Sequence, residues 1–133
     1  MKVYYIDTSA FLAVLFEEGP SRELIKLMES DTEILSSSLI EAEVLATLKR
    51  ENVPLSDAVS VLERVSLVFP DRSLQKELTQ LLEKQYCRGA DSFHIATALY
   101  LDPHAADLIF VSLDEKQNQG ARLMGFRCWK PRG

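Results

Sequence analysis

Apolar positions along the chain follow two rhythms: short unbroken runs of β-prone residues, and longer stretches in which apolar residues recur every three or four positions. Lys2 to Ile6 is the first short run, stopped by Asp7-Thr8-Ser9, and Ala10 to Phe16 then reads as a helix. Glu17-Glu18-Gly19-Pro20 closes that helix, and Pro20-Ser21 opens a second one running to about Glu29. A short strand, Glu33 to Ser36, follows. Ser38-Leu39-Ile40-Glu41 has the spacing of a capping box, in which serine and glutamate each satisfy a free backbone N–H at a helix start. The helix it opens runs to about Glu51 and is closed by Asn52-Val53-Pro54. Ser56 to Arg64 predicts a further helix, and Val65 to Phe69 a strand ended by Pro70.

In the second half, Ser73 to Tyr86 has leucines at 74, 78, 81 and 82, a helical period, and Cys87-Arg88-Gly89 breaks it. Asp91 to Leu101 predicts a helix stopped by Asp102-Pro103, and Leu108 to Ser112 is an apolar strand. A helix after Asp114 to Met124 and a strand from Phe126 to Trp129 complete the chain. Strands alternating with helices predict an α/β fold of three layers, α/β/α, around a mainly parallel sheet of about four or five strands. The strand order is not readable from this pattern.

The length, 133 residues, fits one domain over 1–133, and 47% hydrophobic with 26% charged residues excludes a disordered chain. Cys87 and Cys128 form no CxxC pair and no histidine stands at zinc-finger spacing, which argues against structural zinc. The apolar run Val3 to Ile6 is too short for a signal peptide, and no stretch is long enough for a membrane span. A cytoplasmic protein with reduced thiols and no membrane contact is therefore expected. The net charge of −5 argues against a protein that merely coats nucleic acid, because such proteins gain affinity from excess Lys and Arg. It leaves room for an enzyme whose acidic residues reach phosphate through divalent cations.

Asp7 and Asp114 each stand at the end of an apolar strand and before a helix. In a parallel sheet those strand ends share one edge, where open α/β folds bind their ligands. An Asp in that position is also an ordinary N-cap, and for each taken alone the two readings are about even. Glu43 lies beside the apolar row Ile40, Val44 and Leu48, at the border of the buried stripe, whereas Glu41 belongs to the capping box. Asp91 opens its helix, where by itself it reads as a cap; His94, one turn on, reads as a packed or hydrogen-bonded histidine. Converging carboxylates repel unless a cation compensates them, and hard oxygen ligands favour Mg²⁺ or Mn²⁺ over zinc.

With these residues placed, the chain resembles the PIN-domain nucleases, in particular the VapC-type toxins of toxin–antitoxin pairs. The matching segments are Asp7-Thr8-Ser9-Ala10, Ser37-Ser38-Leu39-Ile40-Glu41-Ala42-Glu43-Val44, Asp91-Ser92-Phe93-His94-Ile95-Ala96-Thr97-Ala98, and Ser112-Leu113-Asp114 followed by Gly125. The resemblance implies that Asp7, Glu43, Asp91 and Asp114 are catalytic and ligate metal, with Ser9 and Ser112 orienting a carboxylate or water. It further implies Mg²⁺- or Mn²⁺-dependent cleavage of RNA, a cognate antitoxin and a homodimer. Some members carry a further acid shortly after the fourth, whereas Asp114 is followed here by Glu115-Lys116-Gln117-Asn118, which leaves the number of metal ions open.

Two surfaces add to this expectation. The helix Ala10 to Phe16 is apolar nearly all round, so part of it can face a partner subunit or antitoxin, although core burial explains it too. Arg88, Lys116 and the tail Arg127, Trp129, Lys130 and Arg132 are candidates to line an RNA path. The competing readings are a catalytically silent PIN-like binding module and a haloacid-dehalogenase-like phosphatase. The latter needs a second Asp two residues after the first, where this chain has Ser9.

Overall fold

A computed structural model describes residues 1–132. In the first half of the chain, β1 (Lys2–Ile6) leads through α1 (Thr8–Leu15) and α2 (Ser21–Glu29) to β2 (Thr32–Ser37). Next come α3 (Leu39–Arg50), a 3-10 turn at Leu55–Ala58, α4 (Val59–Leu62) and β3 (Ser66–Val68). The second half runs α5 (Gln75–Lys84), α6 (Gly89–Leu101), β4 (Ile109–Val111), α7 (Glu115–Leu123) and β5 (Arg127–Cys128). All neighbouring strands are parallel, in the order β3-β2-β1-β4-β5.

Strict alternation along the strands divides the interior into two cores. Tyr4 and Ile6 of β1 and Val111 of β4 face one side, where they pack with Phe11, Leu24, Ile40, Val44 and Leu48 from α1, α2 and α3. Tyr5 and Phe110 face the other side and pack with Leu81, Ile95 and Ala121 from α5, α6 and α7. Because successive side chains on a strand point to opposite faces, a run apolar at every position must be covered twice, and the three layers follow. Tyr5 and Phe110 stack with centroids 5.5 Å apart. On the same side α7 approaches α6 at Gly120, where a Cβ would lie 2.9 Å from Ile95 Cδ1.

The expected elements are all present, with local differences. Ser38 already has helical backbone angles and makes no capping bond; Ser37 Oγ instead accepts the Leu39 N–H at 3.0 Å. The predicted capping box does not form, because its serine must be non-helical to reach back into the first turn. Glu41 is consequently left exposed. The helix expected over Ser56 to Arg64 is split into the 3-10 turn and the single turn of α4. The predicted strands Val65 to Phe69 and Phe126 to Trp129 contract to β3 and β5, which sit at the sheet edges with one neighbour each. Asn52 and Gly125 take left-handed backbone angles and close α3 and α7, each followed by a bond back to the last turn.

Two adjacent leucines on α5 separate core from surface: Leu81 is fully buried and Leu82 is 44% exposed. Leu81→Ala is expected to cost about 2–5 kcal/mol, a large share of a domain's stability. Leu82→Ala should stay within roughly 1 kcal/mol. Urea unfolding midpoints of the two variants check the contrast.

Candidate functional site

The chain order reverses between β1 and β4, so the crossovers leave the sheet in opposite directions and a crevice opens beyond their carboxyl ends. Asp7 follows β1 directly, and Ser112 to Asp114 follow β4. The Asp7 N–H donates to Val111 O at 3.0 Å, which extends the strand pairing up to the site.

Asp7 is both the cap of α1 and the deepest acid, only 1% exposed. Its Oδ1 accepts from Ala10 N at 3.0 Å and Ser9 Oγ at 2.8 Å, and its Oδ2 accepts from Ser112 Oγ at 2.5 Å. Each hydroxyl has one proton and gives it to Asp7; their lone pairs accept the N–H groups of Leu113 and Asp114, both at 3.0 Å. The two serines thus tie the loop after β4 to the carboxylate at the end of β1. Burial pushes the Asp7 carboxyl up, and the bonds from Ser112, Ala10 and Ser9 only partly oppose it. A carboxylate has about four acceptor positions, of which these bonds fill three.

Asp91 is not the helix cap its position suggested. The helix begins at Gly89 with Arg88 before it, so Asp91 lies inside the first turn. Its carboxylate accepts no hydrogen bond among the described residues. Asp91 and Asp114 line a cleft of about 280 Å³ together with Tyr86, Cys87, Arg88, Lys116 and Gln117. Burial raises the Asp91 carboxyl, and the negative charge of Asp114 raises it further, with a smaller push from Glu43. Asp114 caps α7 by accepting the Lys116 N–H on Oδ1 at 3.0 Å. Gln117 Nε2 donates to the Asp91 carbonyl at 3.1 Å and joins the starts of α6 and α7.

Glu43 reaches the site from α3. Thr8 Oγ1 donates to its Oε1 at 2.7 Å, and His94 Nε2 stands 2.9 Å from the same oxygen. Oε2 has no partner among the described residues. Burial works to raise the Glu43 carboxyl, but the bonds from His94 and Thr8 together hold it below the usual range. His94 is 1% exposed, and its Nδ1 lies 2.8 Å from the Tyr5 hydroxyl, which also accepts the Ser37 N–H at 3.0 Å. Burial pushes the Tyr5 phenol well up, so it keeps its proton.

Three of the predicted acids are linked in pairs at this end of the sheet, whereas Glu43 shares neither a hydrogen bond nor the cleft with them and is bonded to Thr8 and His94. Asp7 joins Asp114 through Ser112, and Asp91 shares the cleft with Asp114. Among the described residues no three His, Cys, Asp or Glu side chains already form a metal cage. Arg88 and Lys116 line the cleft. The tail does not: Trp129, Lys130 and Arg132 line a separate groove against α2, where the Arg132 N–H donates to Glu23. Glu115 pairs with Arg122 along α7. Three contributors escaped the sequence reading: Thr8, Tyr5 and Tyr86, the last 78% exposed at the cleft. Tyr86 carried a signal, an aromatic residue in a polar helix end beside Arg88; Tyr5 looked like any core residue.

Leu12 and Phe16 of α1 remain partly exposed and line, with Thr47, Arg50 and Val53, a groove of about 760 Å³ that reaches Ser9 and Leu113. Ala10, Phe11, Ala13 and Val14 of α1 are buried in the core.

Comparison with known proteins agrees with this architecture. No curated protein sequence matches the chain. Among solved structures, the 2.2 Å resolution structure of VapBC-1 from nontypeable Haemophilus influenzae superposes with a TM-score of 0.70 over 96% of this chain and 97% of that one. The two share 14% sequence identity, so the likeness is one of fold. The PIN domain family profile matches residues 4–123, nearly the whole length, and the chain belongs to the PIN-domain family.

Proposed function

We propose that the protein is a Mg²⁺- or Mn²⁺-dependent endoribonuclease acting as the toxin of a toxin–antitoxin pair. The observation that carries this reading is the pair Asp91 and Asp114 facing one cleft, next to buried Asp7, at the point where the strand order reverses. The donor set is oxygen only; burial leaves Asp7 reluctant to ionise alone, and burial with the negative charge of Asp114 does the same to Asp91. A hard divalent cation fits that chemistry: magnesium takes one or two protein carboxylates and keeps water or phosphate oxygens for the rest, so a closed cage is not required. Asp7, Glu43, Asp91 and Asp114 are the residues that would hold it. Bound there, it would supply positive charge against the phosphate and acidify a water for attack on phosphorus.

The chain's own residues perform the remaining work. Ser9 and Ser112 hold the Asp7 carboxylate in one orientation. Arg88 and Lys116 bring positive charge to an otherwise acidic cleft and draw the phosphate in. Tyr86, exposed beside them, offers a face on which a base can stack, as proteins that bind single strands commonly do. Arrangement as a phosphatase with Asp7 as nucleophile is disfavoured, because Asp7 is buried with both oxygens hydrogen-bonded. The fold shared with VapBC-1 and the groove beside Leu12 and Phe16 support an antitoxin partner; a homodimer is proposed on the family resemblance alone. No described helix is long and apolar enough to cross a membrane.

Four outcomes are expected. Purified protein cleaves labelled RNA with Mg²⁺ or Mn²⁺, stops with EDTA and resumes on adding Mn²⁺; RNA left intact under every condition would instead indicate a silent binding module. Asp7→Asn lowers the cleavage rate by more than about 100-fold, beyond the loss typical of residues that only support a metal ligand. In EDTA the same variant still unfolds in one cooperative transition, with Ser112 turning its hydroxyl to accept from the new amide, read by thermal melting; a folded and active Asp7→Asn protein contradicts the assignment. Tyr86→Ala raises KM several-fold on single-stranded RNA while Tyr86→Phe does not, read by initial rates over a range of substrate concentration.

A further inference from the structure

Resting on the nuclease reading, we infer that His94 is a positioning residue: held by Tyr5 through Nδ1, it points its Nε2–H at Glu43 Oε1 and fixes that carboxylate for the metal. The proton placement in this proposal follows the partners around Tyr5. The Tyr5 oxygen already accepts the Ser37 N–H, and the nearby hydroxyls of Ser36 and Thr97 donate to the carbonyls of Ile6 and Phe93. In the proposed arrangement the phenol donates its proton to His94 Nδ1 at 2.8 Å, the tautomer that the ring spectrum below tests. An imidazole that accepts at Nδ1 carries its proton on Nε2, 2.9 Å from Glu43 Oε1.

Thr8 donates to the same oxygen, and its Oγ1 is 3.2 Å from Nε2, so His94, Thr8 and Oε1 form a closed triangle. Both donors go to Oε1, leaving Oε2 for a ligand. The support is rigid at every step: Tyr5 and His94 are buried, Tyr5 lies in the central strand, and the ring of Tyr5 meets that of His94 edge-on at 5.8 Å. A half-buried glutamate on an otherwise mobile side chain is thereby restricted to one rotamer, as the outer partners of metal ligands do elsewhere.

The test compares the parent protein, His94→Ala, His94→Gln, Tyr5→Phe and Glu43→Gln. Mn²⁺ binding is followed by calorimetry without RNA, kcat and KM are measured on RNA, and the ring nitrogens of His94 are observed by ¹⁵N NMR. His94→Ala is expected to weaken Mn²⁺ binding and lower kcat by about 10–100-fold with KM little changed. His94→Gln, whose amide N–H can replace Nε2–H, should recover most of the loss, and Tyr5→Phe should fall between. The ring spectrum should show the proton on Nε2, with its resonance displaced in Glu43→Gln. A folded His94→Ala protein with unaltered Mn²⁺ affinity overturns the role of His94, as does a proton on Nδ1. Should His94→Ala fail to fold, the NMR spectrum, His94→Gln and Tyr5→Phe decide the matter alone. A parent protein that binds no Mn²⁺ and cleaves no RNA overturns the nuclease reading and the purpose assigned to the network with it, while the NMR result still reports whether His94 holds Glu43.

Discussion

The Asp7 carboxylate joins the two halves of the molecule. It ends the central strand, caps the first helix, and receives hydroxyl protons from Ser9 on its own side and Ser112 across the sheet. Those serines in turn hold the backbone N–H groups that lead to Asp114. The reversal of strand order between β1 and β4 opens the crevice, and this small network ties its two rims together. The cap role and the site role, which compete on paper, coexist because a carboxylate has more acceptor positions than a helix start requires.

Elements and fold class were legible because the chain's apolar rhythm is a local property. The strand order was not, since it depends on which hydrophobic faces meet after folding. Asp91 shows the limit of local reasoning: its position suits a cap, yet the helix begins two residues earlier at Gly89 and leaves the carboxylate unpaired. Ser38 and Glu41 show the same limit, because a shift of one residue gives the capping bond to Ser37. Glu43 was placed at the site partly on the premise that Glu41 was occupied; that premise fails, and what puts Glu43 there is its bonding to Thr8 and His94. Tyr5 was unreadable as a site residue, its partner being 89 positions away. The cationic tail was grouped with the cleft on composition, whereas pairing of β5 on the far side of β4 carries it to α2.

The acidic end of the sheet works against the stability of the rest. Two large apolar cores surround a fully buried carboxylate and a second one facing a like charge. Such groups raise the free energy of the folded chain unless something positive joins them, and proteins retain them where function requires it. Arg88 and Lys116 offset part of the local field from the cleft wall.

Gly120 gives this end of the molecule its scale. It lies six residues beyond Asp114 on α7, and the tip of the Ile95 side chain, from four residues beyond Asp91 on α6, fills the space that a side chain at Gly120 would take. One side of this helix pair thus contributes no side chain, one or two turns behind the acids, and Ile95 alone of the two sets their separation there. A larger residue at position 120 would push against the Ile95 tip, and the starts of α6 and α7 would part like the jaws of pliers without either acid being touched.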